Sequence, residues 1–187
     1  MQSIIYCHKN RIWHRDLKPD NFMFATEDKN STLKLIDFGL SRSFYKFQMT
    51  GEGKCLRMKT KVGTAHYMAP EILTNDYSNT CDTWSAGVIL YIMLWGYPPF
   101  IGRNEDEVFQ ANLSGDYDFK DFIWDSVSDD AKDLISKILV PEKDRITPKD
   151  CLNHDWIKNQ TDYKVSKETN LLFLNRLRKF QSASKLK

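Results

Sequence analysis

Apolar residues occur in short runs in the first part of the chain and in longer runs further on. Segments 12–13, 22–24 and 33–36 are mostly apolar, of strand length, and separated by polar turns, which predicts short β-hairpins. Residues 83–96, TWSAGVILYIMLWG, are apolar on almost every side, so they predict a helix buried in the core. The pattern therefore predicts a mainly α protein with short β-hairpins.

Cap residues indicate where the later helices begin. Residues 105–113 are predicted to form one helix, and Ser128, followed by two aspartates, begins another that ends at about residue 139. Thr147 and Pro148 begin a third, which is expected to end near Trp156. Residues 168–180 place apolar residues at three-residue spacing among basic ones, which predicts a basic amphipathic helix. Residues 37–68 show no sustained period and are expected to form one long loop.

Composition narrows the class of protein. The chain has 187 residues, 41% of them hydrophobic and 28% charged, which fits one globular domain with or without an appendage. The net charge of +2 gives no reason to expect nucleic acid as a partner, and no apolar run reaches the roughly 18 residues of a transmembrane helix. Cys7, Cys55, Cys81 and Cys151 form no C-x-x-C pair, so we expect reduced thiols, mostly in the core, in a cytoplasmic or nuclear protein.

A charged stretch, HRDLKPDN at residues 14–21, follows the apolar pair 12–13. Such a stretch is either an ordinary solvated loop or a loop that carries chemistry. Phosphoryl transfer needs a carboxylate that accepts the proton of the attacking hydroxyl, a cation beside the phosphate, and oxygen ligands for Mg²⁺. Asp16, Lys18, Asn21 and Asp37 supply these groups from adjoining predicted loops, and the combination favours phosphoryl transfer.

Three motifs in order, HRDLKPDN, DFG at residues 37–39 and APE at residues 69–71, resemble those of eukaryotic protein kinases. Lys18 and the pair Gly63-Thr64 are similar to the serine/threonine branch of that family. The resemblance covers residues 1–157 and implies the large, C-terminal lobe of the protein-kinase-like fold. The Gly-rich loop and the lysine of the small lobe have no counterpart in the sequence, so we expect the small lobe to be absent and the chain to be a fragment or an incomplete gene model.

The resemblance implies ATP and Mg²⁺ as cofactors and proteins as substrates. Asp16 would be the catalytic base, Lys18 would stabilise the transferring phosphate, and Thr64 would help to position the acceptor hydroxyl. Asn21 and Asp37 would be the ligands of Mg²⁺. The residues that would contact the cofactors are Lys18, Asn21, Met23 and Asp37, with Met23 under the adenine.

The resemblance also implies regulatory and structural roles. Arg15 and Thr60 would be regulatory, because a phosphate on Thr60 could recruit the arginine; alternatively, the basic segment around Thr60 is a solvated, mobile loop. Asp20 lies where several kinases that prefer basic substrates have an acidic residue that contacts a substrate arginine. Ile92 lies at a position that is acidic in the kinases most selective for such substrates, which weakens the prediction of basic substrates. By the same resemblance, His14 and Phe38 would be members of a stacked apolar spine. Asp82 would be the buried acid that anchors the loop containing HRDLKPDN. Glu71 and Arg145 would form a buried ion pair.

Residues 158–187 are predicted to form a separate, basic regulatory tail. The sequence NRLRKFQSASKLK is similar to the junction that connects the catalytic domain of calcium-dependent protein kinases to EF-hands, and in those relatives the junction blocks the substrate groove until Ca²⁺ is bound. The segment 166–187 would then bind an EF-hand module or calmodulin; alternatively, its apolar face packs on the lobe. The sequence contains no D-x-[DN]-x-[DN]-G loop for calcium.

Three functions fit these patterns to different degrees. The first is a protein kinase of the calmodulin-regulated or calcium-dependent type, and the second is a truncated, non-catalytic lobe that binds proteins. The third, a small-molecule phosphotransferase, would lack the APE segment and the partner Arg145. Because the Gly-rich loop is missing, the chain as written is expected to bind Mg-ATP weakly and to turn over peptide little or not at all.

Overall fold

The computed structural model describes residues 1–43, 57–159 and 167–185, with side chains described for all of these except 167–170 and 181–185. Its first part contains one α-helix and four strands: α1 (Gln2–Lys9), β1 (Ile12–Trp13), β2 (Phe22–Phe24), β3 (Leu33–Leu35) and β4 (Arg42–Ser43). β1 pairs with β4, and β2 pairs with β3, both antiparallel. The predicted strands are therefore confirmed. The hairpin of β2 and β3 places the end of the charged stretch next to the residues that precede DFG.

The long loop predicted for residues 37–68 is partly wrong. It contains β4, which the sequence does not reveal because two polar residues carry no apolar alternation. It also contains Met58, whose backbone exchanges hydrogen bonds of 2.8 and 3.2 Å with that of Tyr77. Both pairings depend on a partner that is distant in sequence. Cys55 and two of the basic residues of this segment, Lys46 and Lys54, lie outside the described residues, whereas Arg57, Lys59 and Lys61 are described.

The remaining helices are α2 (Pro70–Leu73), α3 (Thr80–Trp95), α4 (Glu105–Ser114), α5 (Asp129–Ile138), α6 (Pro148–Asn153), α7 (Asp155–Lys158) and α8 (Lys167–Lys185). The predicted caps of α5 and α6 are present, since Ser128 and Thr147 accept hydrogen bonds from backbone N–H groups of the first turn. The single helix expected to end near Trp156 is two helices. His154 leaves the helical region with ψ at 143°, and its side chain accepts from the N–H of Trp156 in the first turn of α7, which begins at Asp155.

The core is built around α3, which confirms the helix predicted to be buried on almost every side. Trp84 stacks on Phe100 with ring centroids 5.4 Å apart. At Gly87 a Cβ atom would lie 2.3 Å from Cγ2 of Ile138, so α3 and α5 approach as closely as they do because this residue has no side chain. Gly96 ends α3 in the left-handed region, with φ at 95°.

Three cysteines lie in this core as free thiols, namely Cys7, Cys81 and Cys151, as expected from their isolated positions in the sequence. Burial raises the pKa of Cys151 to about 11, and it raises the pKa of Cys81 as well. These thiols are therefore protonated at neutral pH and behave as small core residues. Within the described ranges, no helix combines the length and the hydrophobicity that crossing a membrane requires.

Candidate active site

Three predicted site residues are in direct contact: two come from the loop between β1 and β2, and the third, Thr64, precedes APE. The Thr64 hydroxyl donates to Oδ1 of Asp16 at 2.7 Å. The Lys18 ammonium lies 3.0 Å from Oδ2 of Asp16 and donates to Oγ1 of Thr64 at 3.3 Å. Asp16 is only 8% exposed. The attraction between its carboxylate and the Lys18 ammonium is therefore stronger than it would be in water. Asp16, Lys18 and Thr64 thus form one polar cluster, although Thr64 is 48 residues from Asp16 in sequence.

Asp82, at the start of α3, anchors the backbone of this loop. Its carboxylate accepts from the backbone N–H of His14 at 3.0 Å and from that of Arg15 at 2.8 Å. A third contact comes from Nε2 of His8, 2.8 Å from Oδ2 of Asp82, and this contact was not predicted because a histidine at the end of a surface-type helix carries no distinct signal. Arg15 has a φ of 68°, a strained conformation for a residue with a side chain, and the Asp82 hydrogen bonds hold it there.

The two candidate magnesium ligands lie beside two paired strands: Asn21 directly precedes β2, and Asp37 lies two residues after β3. The Asn21 amide donates to the backbone carbonyl of Asp16 at 2.7 Å, which leaves its Oδ1 atom as an acceptor. The backbone N–H of Ile36 donates to the carbonyl of Asn21 at 2.9 Å, so Asp37 follows directly beside it. Asp37 has a φ of 57°, and its Oδ1 accepts from the N–H of Gly39 at 3.0 Å. One amide and one carboxylate oxygen suit Mg²⁺, which takes few protein ligands and completes its shell with phosphate and water.

His14 and Phe38 lie against each other, as the resemblance implies for the stacked spine. Their rings meet edge-on with centroids 5.0 Å apart. Nδ1 of His14 is 3.4 Å from the N–H of Asp16, and Nε2 is 3.2 Å from the carbonyl of Ile36. This pattern assigns the proton to Nε2, and the contact with Ile36 connects the loop between β1 and β2 to the residues before DFG. Met23, predicted to lie under the adenine, is on β2 with 56% of its side chain exposed, and its role stays a prediction.

Arg15 and Thr60 are connected through a third residue, Tyr77. Nη1 of Arg15 donates to the Tyr77 hydroxyl at 3.3 Å, and this hydroxyl donates to the carbonyl of Thr60 at 2.8 Å. Nε of Arg15 donates to the carbonyl of Leu40 at 2.7 Å. The Tyr77 side chain is fully buried, and burial raises the pKa of its hydroxyl. Sequence reasoning missed Tyr77, since a tyrosine after a short polar turn has many possible uses.

The Glu71 carboxylate and the Arg145 guanidinium form a two-pronged ion pair at the end of residues 37–71, the stretch from DFG to APE, which we call the activation segment. Nη2 of Arg145 donates to Oε2 at 2.9 Å, and Nη1 contacts Oε1. The guanidinium also donates to the carbonyls of Val140 and Thr80 and lies over the Trp84 ring, 4.9 Å from its centroid. The arginine side chain is fully buried, so this pair connects α2 to the start of α3 inside the lobe.

A second carboxylate, that of Glu142, connects Arg57 of the activation segment to the residues at the start of α3. It accepts from the N–H of Ser78 at 3.1 Å, from the Thr80 hydroxyl at 3.0 Å and from Nη2 of Arg57 at 2.9 Å. Burial acts to raise the pKa of Glu142, but the hydrogen bonds from Ser78, Arg57 and Thr80 outweigh it, so the pKa lies below its ordinary value of 4.5. Glu142 is therefore ionised at neutral pH.

Helix α4 fixes the segment that follows Thr64. Nδ2 of Asn112 donates to the carbonyls of Ala65 and Met68 at 2.9 and 3.0 Å. The Lys61 ammonium lies over the Phe109 ring, 3.7 Å from its centroid. The sequence predicts α4 but not these contacts, because a polar residue in the middle of a helix usually faces solvent.

The tail helix α8 lies on the lobe beside the same segment. Leu177 and Phe180 pack against the core, and the Phe180 ring meets the His66 ring edge-on with centroids 6.0 Å apart. Leu171 and Leu174 are 58% and 46% exposed. The predicted apolar stripe of the tail therefore packs on the lobe over one half of its described length and faces solvent over the other.

Known proteins resemble this chain over nearly its whole length. The protein kinase domain family matches residues 1–157. Calcium-dependent protein kinase 1 from Oryza sativa subsp. japonica is 43% identical over 182 residues, which make up 97% of this chain and 33% of the relative. Calcium-dependent protein kinase 4 from Plasmodium falciparum is 41% identical over 191 residues, 100% of this chain and 35% of the relative. The chain spans about a third of the length of the curated relatives it matches.

Proposed function

The chain belongs to the protein kinase family, and from this premise we propose that it is the catalytic and substrate-binding lobe of a serine/threonine protein kinase of the calcium-dependent type. The reaction is transfer of the γ-phosphoryl group of ATP to a serine or threonine hydroxyl of a protein. The observation that carries the proposal is the buried contact of Asp16 with both the Lys18 ammonium and the Thr64 hydroxyl.

Asp16 is the proton acceptor in this proposal. Its Oδ1 atom already accepts a hydrogen bond from a hydroxyl group, that of Thr64, at 2.7 Å. A substrate hydroxyl that enters beside Thr64 meets an acceptor of the required kind at hydrogen-bond distance. The backbone N–H groups of His14 and Arg15 donate to the Asp82 carboxylate and hold the loop, so the Asp16 carboxylate is positioned before the substrate arrives.

Lys18 supplies the positive charge beside the transferring group. Its ammonium contacts both the Asp16 carboxylate and the Thr64 hydroxyl, a position from which it stabilises negative charge on the phosphoryl oxygens. Asn21 and Asp37 would hold Mg²⁺, which neutralises phosphate charge when it is bound. The amide of Asn21 is oriented for this by its hydrogen bond to the Asp16 carbonyl.

Phosphoryl transfer to peptides that contain serine or threonine tests the proposal. We suggest assaying the 187-residue chain alone, where little turnover is expected, and the same chain joined to the ATP-binding small lobe of a related kinase. In the joined protein, Asp16→Asn should lower kcat by at least about 100-fold, the typical contribution of a general base. The asparagine has the same shape and can still accept from Thr64, so the loop should keep its structure.

Asp28→Asn is the matched control, because Asp28 is exposed in the turn between β2 and β3 and has no part in the proposed mechanism. It should leave kcat unchanged. Equal turnover in the parent protein and in Asp16→Asn would refute the proposal that Asp16 is the catalytic base.

A second function, regulation through the tail, is suggested by the contact between Phe180 and His66, two residues after Thr64. We propose that α8 restricts the acceptor site and that an EF-hand module or calmodulin displaces it. The names of the relatives, calcium-dependent protein kinases, support this. A synthetic peptide of residues 166–187 should bind Ca²⁺-calmodulin in calorimetry; absence of binding would leave an EF-hand module as the partner to be tested in the same way.

A further inference from the structure

Arg176 of α8 lies among three aromatic rings and a carboxylate. Its guanidinium carbon is 5.8 Å from the ring centroid of Trp95, 5.7 Å from that of Tyr97 and 5.8 Å from that of Phe122. Its Nη2 atom donates to Oδ2 of Asp121 at 2.9 Å. All three ring distances are within the roughly 6 Å over which a cation is attracted to a ring face. We call Trp95, Tyr97, Asp121 and Phe122 the arginine cage.

Contacts inside the lobe, rather than α8, hold most of the cage in place. Oδ1 of Asp121 accepts from the N–H of Ile123 at 3.0 Å, which leaves Oδ2 facing the guanidinium. The Trp95 ring meets the Tyr91 ring edge-on at 5.5 Å and the Tyr97 ring at 5.7 Å between centroids. These contacts do not require Arg176, so the cage should keep its shape when α8 is displaced, and a preformed site loses less entropy on binding.

The charge of the cage matches a guanidinium. Burial acts to raise the pKa of Asp121, but the hydrogen bonds from the Ile123 N–H and from Arg176 outweigh it and lower the pKa. The carboxylate is therefore ionised at neutral pH. A planar, weakly hydrated guanidinium can stack on rings while it donates to a carboxylate, whereas a compact, strongly hydrated ammonium does so less well. The chemistry of the cage thus favours arginine over lysine.

Arg176 does not satisfy all of its hydrogen-bond donors inside the cage. Its Nη1 atom is buried but has no hydrogen-bond partner among the described residues. The helix that carries it packs on the lobe over only half of its described apolar stripe, as the exposure of Leu171 and Leu174 indicates. A helix held by so little apolar surface leaves the lobe at a lower free-energy cost than a core helix does. The cage is then open to another arginine.

We propose that the arginine cage is a guanidinium-binding site of the lobe, which Arg176 occupies within the same chain and which takes an arginine side chain of a basic protein or peptide once α8 is displaced. The cage shares no residue with the cluster of Asp16, Lys18 and Thr64. The proposal therefore goes beyond phosphoryl transfer, and its test measures binding, so the two proposals can fail independently.

Binding of a small guanidinium compound to a vacated cage tests the proposal. The variant is Arg176→Ala in the full 187-residue chain, labelled with ¹⁵N, and the signal is the assigned indole N–H resonance of Trp95. Ethylguanidinium, added to about 50 mM, stays far below denaturing concentrations. We expect a saturable shift with a dissociation constant on the order of 1–10 mM for the variant, and a much smaller shift for the parent chain, whose cage is filled.

Two controls distinguish a guanidinium site from general binding. Ethylammonium, which has the same alkyl group and charge, should bind Arg176→Ala several-fold more weakly. The double variant Arg176→Ala, Asp121→Asn should bind ethylguanidinium at least about tenfold more weakly, since the charged hydrogen-bond acceptor is lost. If Arg176→Ala does not fold, Arg176→Gln, which keeps a long side chain, replaces it. The proposal is overturned if the vacated cage gives no saturable shift, if the parent chain binds equally well, or if ethylammonium binds as tightly.

Discussion

The buried ion pair between Glu71 and Arg145 gives a prediction about stability. Arg145→Met removes a fully buried cation and replaces it with an apolar side chain of similar length. The Glu71 carboxylate, 8% exposed, then loses both hydrogen bonds from the guanidinium and remains in a poorly solvated place. Glu71→Gln is the converse change. It leaves a buried guanidinium that still donates to the carbonyls of Val140 and Thr80 and lies over Trp84.

The structure predicts different magnitudes for the two changes. Removal of one partner of a buried pair costs about 3–5 kcal/mol, because the other charge is left without compensation. Arg145→Met should fall in this range, since the carboxylate loses two hydrogen bonds to a charged group. Glu71→Gln should cost less, about 1–3 kcal/mol, because the remaining carbonyl acceptors satisfy part of the guanidinium. The double variant should cost less than the sum of the two, with a coupling of at least about 1 kcal/mol.

Urea unfolding followed by tryptophan fluorescence measures these differences. With an m-value of about 2 kcal/mol per molar, Arg145→Met should lower the unfolding midpoint by roughly 1.5–2.5 M. Lys143→Met is a matched control, since it removes an exposed positive charge two residues away and should change the free energy of unfolding by less than about 0.5 kcal/mol. A larger cost for Glu71→Gln than for Arg145→Met, or strict additivity in the double variant, would refute the reasoning.

Two further predictions concern the activation segment. Tyr77→Phe removes the hydroxyl that joins Arg15 to the carbonyl of Thr60, and it should destabilise the chain by about 1–2 kcal/mol and speed amide hydrogen exchange around Thr60. Glu142→Gln should flatten the pH dependence of stability. The pKa of Glu142 is lowered in the folded chain, so its contribution is present above its unfolded pKa of 4.5 and disappears as the pH falls through the folded pKa. The parent chain should exceed the variant by about 1–2 kcal/mol at pH 6, and this difference should shrink below pH 4.5.

Both predictions have a direct check. Hydrogen exchange by mass spectrometry should show the Tyr77→Phe effect in the peptide that contains residues 57–62, while the α5 peptide serves as an internal reference; unchanged exchange there contradicts the proposed bridge. Urea midpoints measured from pH 3 to pH 7 test Glu142→Gln. A difference from the parent chain that grows as the pH falls has the wrong sign and would mean that Glu142 is not stabilised as an anion.

The fold class could be predicted because its signals are local. The buried helix α3 is visible as an apolar run, and the starts of α5 and α6 are visible as Ser128 and Thr147, since a helix cap involves residues within one turn of each other. The break between α6 and α7 could not be predicted in the same way. It depends on His154, whose ring caps α7 and also reaches the Asp133 carboxylate of α5 at 2.8 Å.

The candidate site could be predicted in its residue types but not in its contacts. HRDLKPDN and DFG identify Asp16, Lys18, Asn21 and Asp37 because those motifs are contiguous in sequence. Tyr77 and Asn112, by contrast, have ordinary local sequences. Their importance comes from groups 62 and 47 residues away, the Arg15 guanidinium and the Ala65 carbonyl, and single-sequence patterns carry no information about such pairs.

The sequence by itself determined the strands β1 to β3, the buried helix α3 and the starts of α5 and α6, together with the order of the motifs and the chemical groups of the site, because these depend on neighbours a few residues apart. Only the tertiary structure decided which of those groups meet. Thr64 reaches Asp16 across 48 residues, and Arg176 reaches Asp121 across 55. Contacts over such distances form only when the core around α3 has packed, since packing is what offsets the entropy lost when distant parts of a chain are brought together.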